Sequence, residues 1–94
     1  MKLDDLCDVR TNFPEADFWI IRRGSIEAVG KPIKTFSKEA IGIKVVSDAL
    51  VPDYLYYWFM HLHASGIFQQ LATGSLRLVN IRTADIAHLP VSFR

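Results

Sequence analysis

The sequence predicts an α+β fold: a small mixed or twisted β-sheet carrying a buried aromatic-rich helix and short helical segments. Three observations point to it. The first half of the chain holds short aromatic and β-branched runs of strand length, and after Pro52 the apolar residues shift to helical spacing. The 94 residues, 50% apolar and 22% charged, supply material for one core and no more. A single domain over residues 1–94 is therefore expected.

The strand half comes first. Residues 2–9 place Leu3, Leu6 and Cys7 where they can share one side of a helical turn, and Pro14 blocks helix continuation because it lacks the amide hydrogen and crowds the preceding turn. Phe18-Trp19-Ile20-Ile21, with Gly24 behind it, is a run that suits a buried strand. Ile26, Ala28 and Gly30 alternate with Glu27 and Val29, which predicts the returning arm of a hairpin ending at Gly30-Lys31-Pro32. Ile41-Gly42-Ile43-Lys44-Val45-Val46 predicts a third strand.

The chain changes character at Ser47-Asp48. Pro52 suits a first helical turn, where an amide hydrogen has no partner to lose. Leu55, Trp58, Phe59 and Leu62 follow at i, i+3, i+4 and i+7, and Tyr54, Tyr56, Tyr57 and Met60 make the remaining faces largely apolar, so the helix is expected to be buried on several sides. Gly66 interrupts it, and residues 67–73 form a second short helical piece. Gly74-Ser75 is a loop, residues 76–81 alternate, Thr83 caps a turn running through Ile86, and Leu89-Pro90-Val91 is a last edge strand.

The formal charge of +1 indicates neither a strongly basic nor a strongly acidic protein, but the charge is unevenly spread. Lys2 and Arg10 face Asp4, Asp5, Asp8, Glu15 and Asp17 in residues 1–17, a net −3. Arg22, Arg23, Lys31, Lys34, Lys38 and Lys44 face only Glu27 and Glu39 in residues 18–44, a net +4. The single cysteine, Cys7, excludes an internal disulfide. The opening lacks the order of a signal peptide, and the longest apolar run, around residues 55–62, falls far short of the ~20 residues a membrane helix needs. The cytosol is the expected compartment, with no membrane association.

Catalytic motifs are scarce. Gly24 to Gly30-Lys31 resembles a phosphate loop, but it has one residue too many between its glycines and Pro32 where a hydroxyl should follow; a hairpin turn is the plainer reading. His61 and His63 would lie about 200° apart around a helix, where one metal cannot reach both. His88 stands alone, and Cys7 reads as a buried thiol serving as a small apolar residue. Gly74-Ser75-Leu76 is not a strained nucleophile elbow, and no nuclease or adenosylmethionine motif is present. The chain is expected to be non-catalytic and to hold no cofactor or metal.

The order of features resembles a target-recognition domain of the type I restriction-modification DNA specificity subunit. Lys2-Leu3-Asp4-Asp5-Leu6-Cys7-Asp8-Val9 is similar to the family's start, and Phe18-Trp19-Ile20-Ile21-Arg22-Arg23-Gly24 to its strand followed by Arg-Gly. Val51-Pro52-Asp53-Tyr54-Leu55-Tyr56-Tyr57-Trp58-Phe59 resembles its Pro-x-Tyr-Leu-x-Tyr-aromatic helix. Thr73-Gly74-Ser75 through Asn80-Ile81, then Ile86 and Leu89-Pro90-Val91, resembles its Thr-Gly-Ser loop and closing strand. The resemblance covers most of the chain, and its specificity lies in the combination. It implies a module that reads one half of a split DNA target, while methyltransferase and restriction subunits supply the chemistry. This chain is shorter than typical recognition domains and stops where the family continues into a long spacer helix, so the resemblance implies a minimal or truncated form.

On that reading the +4 segment supplies phosphate contacts through Lys31, Lys34, Lys38 and Lys44, although the same lysines also serve solubility. Arg22, Arg23, Arg77 and Asn80 are the candidate base readers, since an arginine fork fits guanine O6 and N7 and an asparagine amide fits adenine N6 and N7. Ser75 can donate to a phosphate. Asn80 has a second reading, as a loop amide bonded to nearby backbone. Two copies reading a symmetric duplex would be a natural geometry. The rival reading is a protein-interaction module, such as a phage- or plasmid-borne mimic of a specificity subunit, which the small total charge favours.

Overall fold

The computed structural model describes residues 1–74 and 78–91. They form an α+β domain with two small antiparallel sheets. The main sheet contains β1 (Cys7–Thr11), β2 (Phe18–Ile20), β4 (Pro32–Ile33) and β5 (Ile41–Val45) in the order β1-β5-β2-β4. The second sheet contains β3 (Arg23–Gly24), β6 (Thr73–Gly74) and β7 (Val79–Asn80) in the order β3-β7-β6. Every pairing is antiparallel, so the sheets are not mixed. The helices are α1 (Pro52–Ser65), α2 (Ile67–Leu71) and α3 (Thr83–Ala87), preceded at the N-terminus by a 3₁₀ turn at Leu3–Asp5. Among the described residues no helix is long and apolar enough to cross a membrane.

Alternation along the strands sets the two faces of the main sheet. Cys7↔Val45, Val9↔Ile43, Phe18↔Ile43 and Ile20↔Ile41 share one face. That face joins the main core with Leu55, Phe59, Phe68 and Ile86. Phe18 and Phe59 meet edge to face at 5.7 Å, and Phe59 stacks on Phe68 at 5.9 Å. The other face carries Trp19↔Gly42↔Arg10, and Phe13 folds back over it. A Cβ at Gly42 would lie 2.7 Å from Phe13 Cβ, so glycine is what admits the close approach. Trp19 Nε1 donates to the Phe13 carbonyl at 2.9 Å, the Arg10 guanidinium lies 4.1 Å over the Phe13 ring, and Phe36 meets Trp19 at 6.0 Å.

Several expectations need correction. The first helical turn ends at Asp5, and Cys7 opens a strand instead of sharing that turn. The return arm of the hairpin is Pro32–Ile33; residues 26–30 are consecutive turns, because Ala28 and Val29 N–H groups both bond back to the Ser25 carbonyl. Helix α1 is buried on one face, at Leu55 and Phe59, whereas Tyr54 is 56% exposed and Tyr57 65%. Apolar composition all round a helix does not bury it when only one side meets the sheet. Residues 89–91 make a single bridge, Lys2↔Pro90, with Leu3 N–H donating to the Leu89 carbonyl and Val91 N–H to the Met1 carbonyl.

Three boundaries also shift: Arg82 and not Thr83 takes the cap position of α3, α2 stops at Leu71, and Thr73 and Gly74 form strand β6 instead of helix and loop. Pro52 begins α1, Gly66 ends it in the left-handed region at φ 85°, and α2 follows at once. Helix α3 starts at Thr83, where the Arg82 N–H donates to the Asp85 carboxylate at 3.3 Å and the Arg82 guanidinium holds that carboxyl below its ordinary pKa. Burial, with Asp17 and Asp8 adding negative potential, pushes the Cys7 thiol up from 9.0 to about 12. The native protein should therefore alkylate with iodoacetamide at about pH 8 roughly a thousandfold more slowly than the unfolded chain, by mass spectrometry; comparable rates would contradict this burial.

Candidate functional site

Residues 18–24 serve both sheets in turn. Phe18–Ile20 pairs in the main sheet, and Arg23–Gly24 pairs with β7 in the second. Between them the Ile21 N–H donates to the Lys31 carbonyl at 3.0 Å, and the Arg22 carbonyl accepts the Ile81 N–H at 2.9 Å. Backbone bonds to two different elements thus fix the arginine pair at the junction of the sheets. A cleft of about 90 Å³ opens there, lined by Arg22, Arg23, Ser37 and Glu39 with apolar Ile21, Ile33 and Ala40. Arg22 Nε donates to the Glu39 carbonyl at 2.9 Å, which ties the half-buried guanidinium to the 37–40 turn.

The second sheet sets Arg23, Asn80 and Thr73 in register across its three strands. Paired residues in a β-ladder point to the same face, so a guanidinium, an amide and a hydroxyl stand in one row. At a strand spacing near 4.8 Å the row spans ~10 Å of backbone. The opposite face presents Gly24, Val79 and Gly74, and of these only Val79 carries a side chain, which is buried. The sheet therefore seats on the protein through one valine and turns its polar row outward, with Arg23 and Thr73 exposed and Asn80 half-buried. The row can donate from the arginine and both donate and accept at the amide and hydroxyl.

The lysines divide. Lys31, Lys34 and Lys38 are exposed on the segment whose Ile33, Ser37 and Glu39 line the cleft. Lys34 Nζ lies 3.7 Å from Asp53 and 4.7 Å over the Tyr56 ring. Lys44 sits in β5 opposite Asp8, with Nζ 3.5 Å from the Glu15 carbonyl, four residues along the strand from Ala40 and so about 13 Å from the cleft. The structure thus gathers Arg22, Arg23 and Asn80, sets Lys31, Lys34 and Lys38 on the neighbouring segment, and leaves Lys44 among acidic residues. Ser75 and Arg77 lie outside the described residues.

No protein-family model matches this chain, and no curated protein and no solved structure matches it either. The site is accordingly read from its own geometry. Thr73 completes the polar row and Glu39 anchors Arg22, and neither belongs to the set predicted from sequence. Thr73 was legible only once the pairing of β6 with β7 was known. His63 also has a definite place: Nε2 donates to the Glu27 carbonyl at 2.7 Å, holding the 26–30 turns against α1.

Proposed function

We propose that this protein is a DNA-binding module without catalysis of its own, resembling a target-recognition domain of a type I restriction-modification specificity subunit. The observation that carries the proposal is the row Arg23, Asn80, Thr73, in which two of the four nominated base readers, 57 positions apart in the chain, are cross-strand partners. The Arg23–Asn80 pair spans one strand spacing, about 4.8 Å, within the roughly 12 Å width of the major groove. Arg23 is suited to guanine and Asn80 to adenine, while Arg22 is committed by its Nε to the Glu39 carbonyl and contributes position and positive potential. Lys31, Lys34 and Lys38 take phosphates. The exposed Lys34–Asp53 pair contributes little stability, so exchange of Asp53 for a phosphate costs little. In such a system methyltransferase and restriction subunits would be the partners, and paired copies would suit a symmetric target.

The test is selection from a pool of randomised duplexes by the purified protein, followed by affinity across a salt series. An enriched motif is expected. For roughly four phosphate contacts, affinity should fall about a hundredfold between about 50 and 200 mM salt. A folded protein that enriches nothing and shows a flat salt response does not bind DNA in this way.

A second reading is favoured by one specific feature. Tyr54, Tyr57 and Met60 stand exposed along the outer face of α1, at 56%, 65% and 41%. A protein-interaction module would use that face, and its complex would be insensitive to salt.

A further inference from the structure

We propose that Phe36 acts as a wedge that enters a base step of bound duplex DNA. The proposal rests on the DNA-binding reading above and adds a mode of contact to it. Phe36 is 43% exposed, and Lys34 and Lys38 lie two positions to either side of it, both exposed. Its ring abuts Trp19 edge-on at 67°, and Trp19 is itself fixed by the bond from Nε1 to the Phe13 carbonyl. The segment around it is pinned at two further points. The Asn12 N–H donates to the Lys38 carbonyl at 3.0 Å, and the Ala40 N–H to the Ser37 carbonyl at 3.2 Å. Ser37 and Glu39, the next residues along, line the cleft that holds Arg22 and Arg23. An apolar ring with a rigid backing thus stands on a lysine-bearing segment beside the arginine pair, with Lys38 exposed and the Lys34 ammonium lying at Asp53 of α1.

Water-exposed phenylalanine between lysines has a specific use against a polyanion. Apolar side chains driven between base pairs unstack the step and kink the duplex, and the cost is offset by the larger contact area that the bent DNA offers. Lys38, and Lys34 once a phosphate replaces Asp53, hold the backbone near the inserted ring. The exposed apolar residues of α1, Tyr54, Tyr57 and Met60, have no lysine or arginine on their own helix, and the cation that reaches it, Lys34, is engaged at Asp53 and Tyr56. Phe36 has no polar atom with which to read a base edge, so the wedge responds to how readily a step opens, which favours flexible pyrimidine–purine steps.

The experiment compares binding of the full chain to two short mixed-sequence duplexes that differ only in one central mismatch. The mismatched step is already partly open, so the wild-type protein should prefer that duplex by about tenfold. Phe36→Ala should bring the preference to within about twofold while leaving the salt dependence on the intact duplex unchanged, because no phosphate contact is removed. Should Phe36→Ala fail to fold for want of cover over Trp19, the wild-type protein decides the matter alone: 2-aminopurine beside the mismatch should brighten on binding. A preference retained in Phe36→Ala overturns the wedge. So does steeply salt-dependent binding by wild type with no mismatch preference and no 2-aminopurine signal. Absence of any salt-dependent binding overturns both the wedge and the DNA-binding reading.

Discussion

Gly30→Ala should destabilise the protein by about 3–5 kcal/mol, the cost of displacing a buried phenylalanine. Gly30 holds φ +84°, and a Cβ there would fall 2.2 Å from Phe68 Cδ2 and 2.6 Å from Phe68 Cβ. The obstruction includes the root of a side chain that is 1% exposed, so rotation of a free tip cannot relieve it. Phe68 would have to leave its stack on Phe59 or drag α2 outward. Gly66 provides a matched control at φ +85°, where the nearest atom to an added Cβ is Gln69 Oε1 at 3.9 Å. Gly66→Ala meets only the backbone preference, about 1–2 kcal/mol. Urea denaturation followed by tryptophan fluorescence separates the two. For a domain with some 5–15 kcal/mol in hand, the Gly30 variant loses much of its margin and the Gly66 variant retains most of it. Equal losses would mean that Phe68 does not seat against Gly30.

Arg23→Ala and Asn80→Ala should each weaken binding to a selected duplex by about 10–100-fold and relax the preference at one base pair. Because the two side chains are neighbours in one row, the double variant should lose less than the sum. Lys38→Ala is the contrast. It should weaken all duplexes alike and reduce the slope of log affinity against log salt by about one. If Arg23→Ala behaves as Lys38→Ala is expected to, the row touches the backbone and base reading lies elsewhere. Both variants change exposed or half-buried side chains, so an unchanged denaturation midpoint should accompany the loss.

Strand and helix identities were legible wherever local pattern and tertiary role agree. Ile41–Val45 alternates because one face meets the core, and Pro52 and Gly66 bracket α1 through backbone chemistry that needs no neighbour. The failures were failures of partner knowledge. Residues 26–30 alternate like a strand, yet the Ser25 carbonyl captures two successive amides and the segment coils. Tyr54 and Tyr57 have the composition of a core residue, but burial depends on what α1 faces. Of the site, the arginine pair and Asn80 were visible as residue types, whereas their adjacency depends on a three-stranded sheet built from two-residue strands, too short for any periodicity to register. The cleft was equally hidden, because it forms between the sheet junction and a turn that begins 14 residues after Arg23 in sequence.

The strand order β1-β5-β2-β4 has a kinetic consequence. Within this sheet β2 and β4 pair across the shortest segment, 18–33; β1 must wait for β5, whose Val45 meets Cys7 38 positions back. The 3₁₀ turn waits longer still, since Leu3 bonds to Leu89 and Met1 to Val91. Closing such distant loops spends chain entropy before any contact returns it. Assembly of this sheet should therefore run from the β2–β4 hairpin outward through β5, with residues 1–11 among the last to dock. During that interval the edge of β5 that β1 will cover stays open, and Lys44 within β5 disfavours its capture by a second chain.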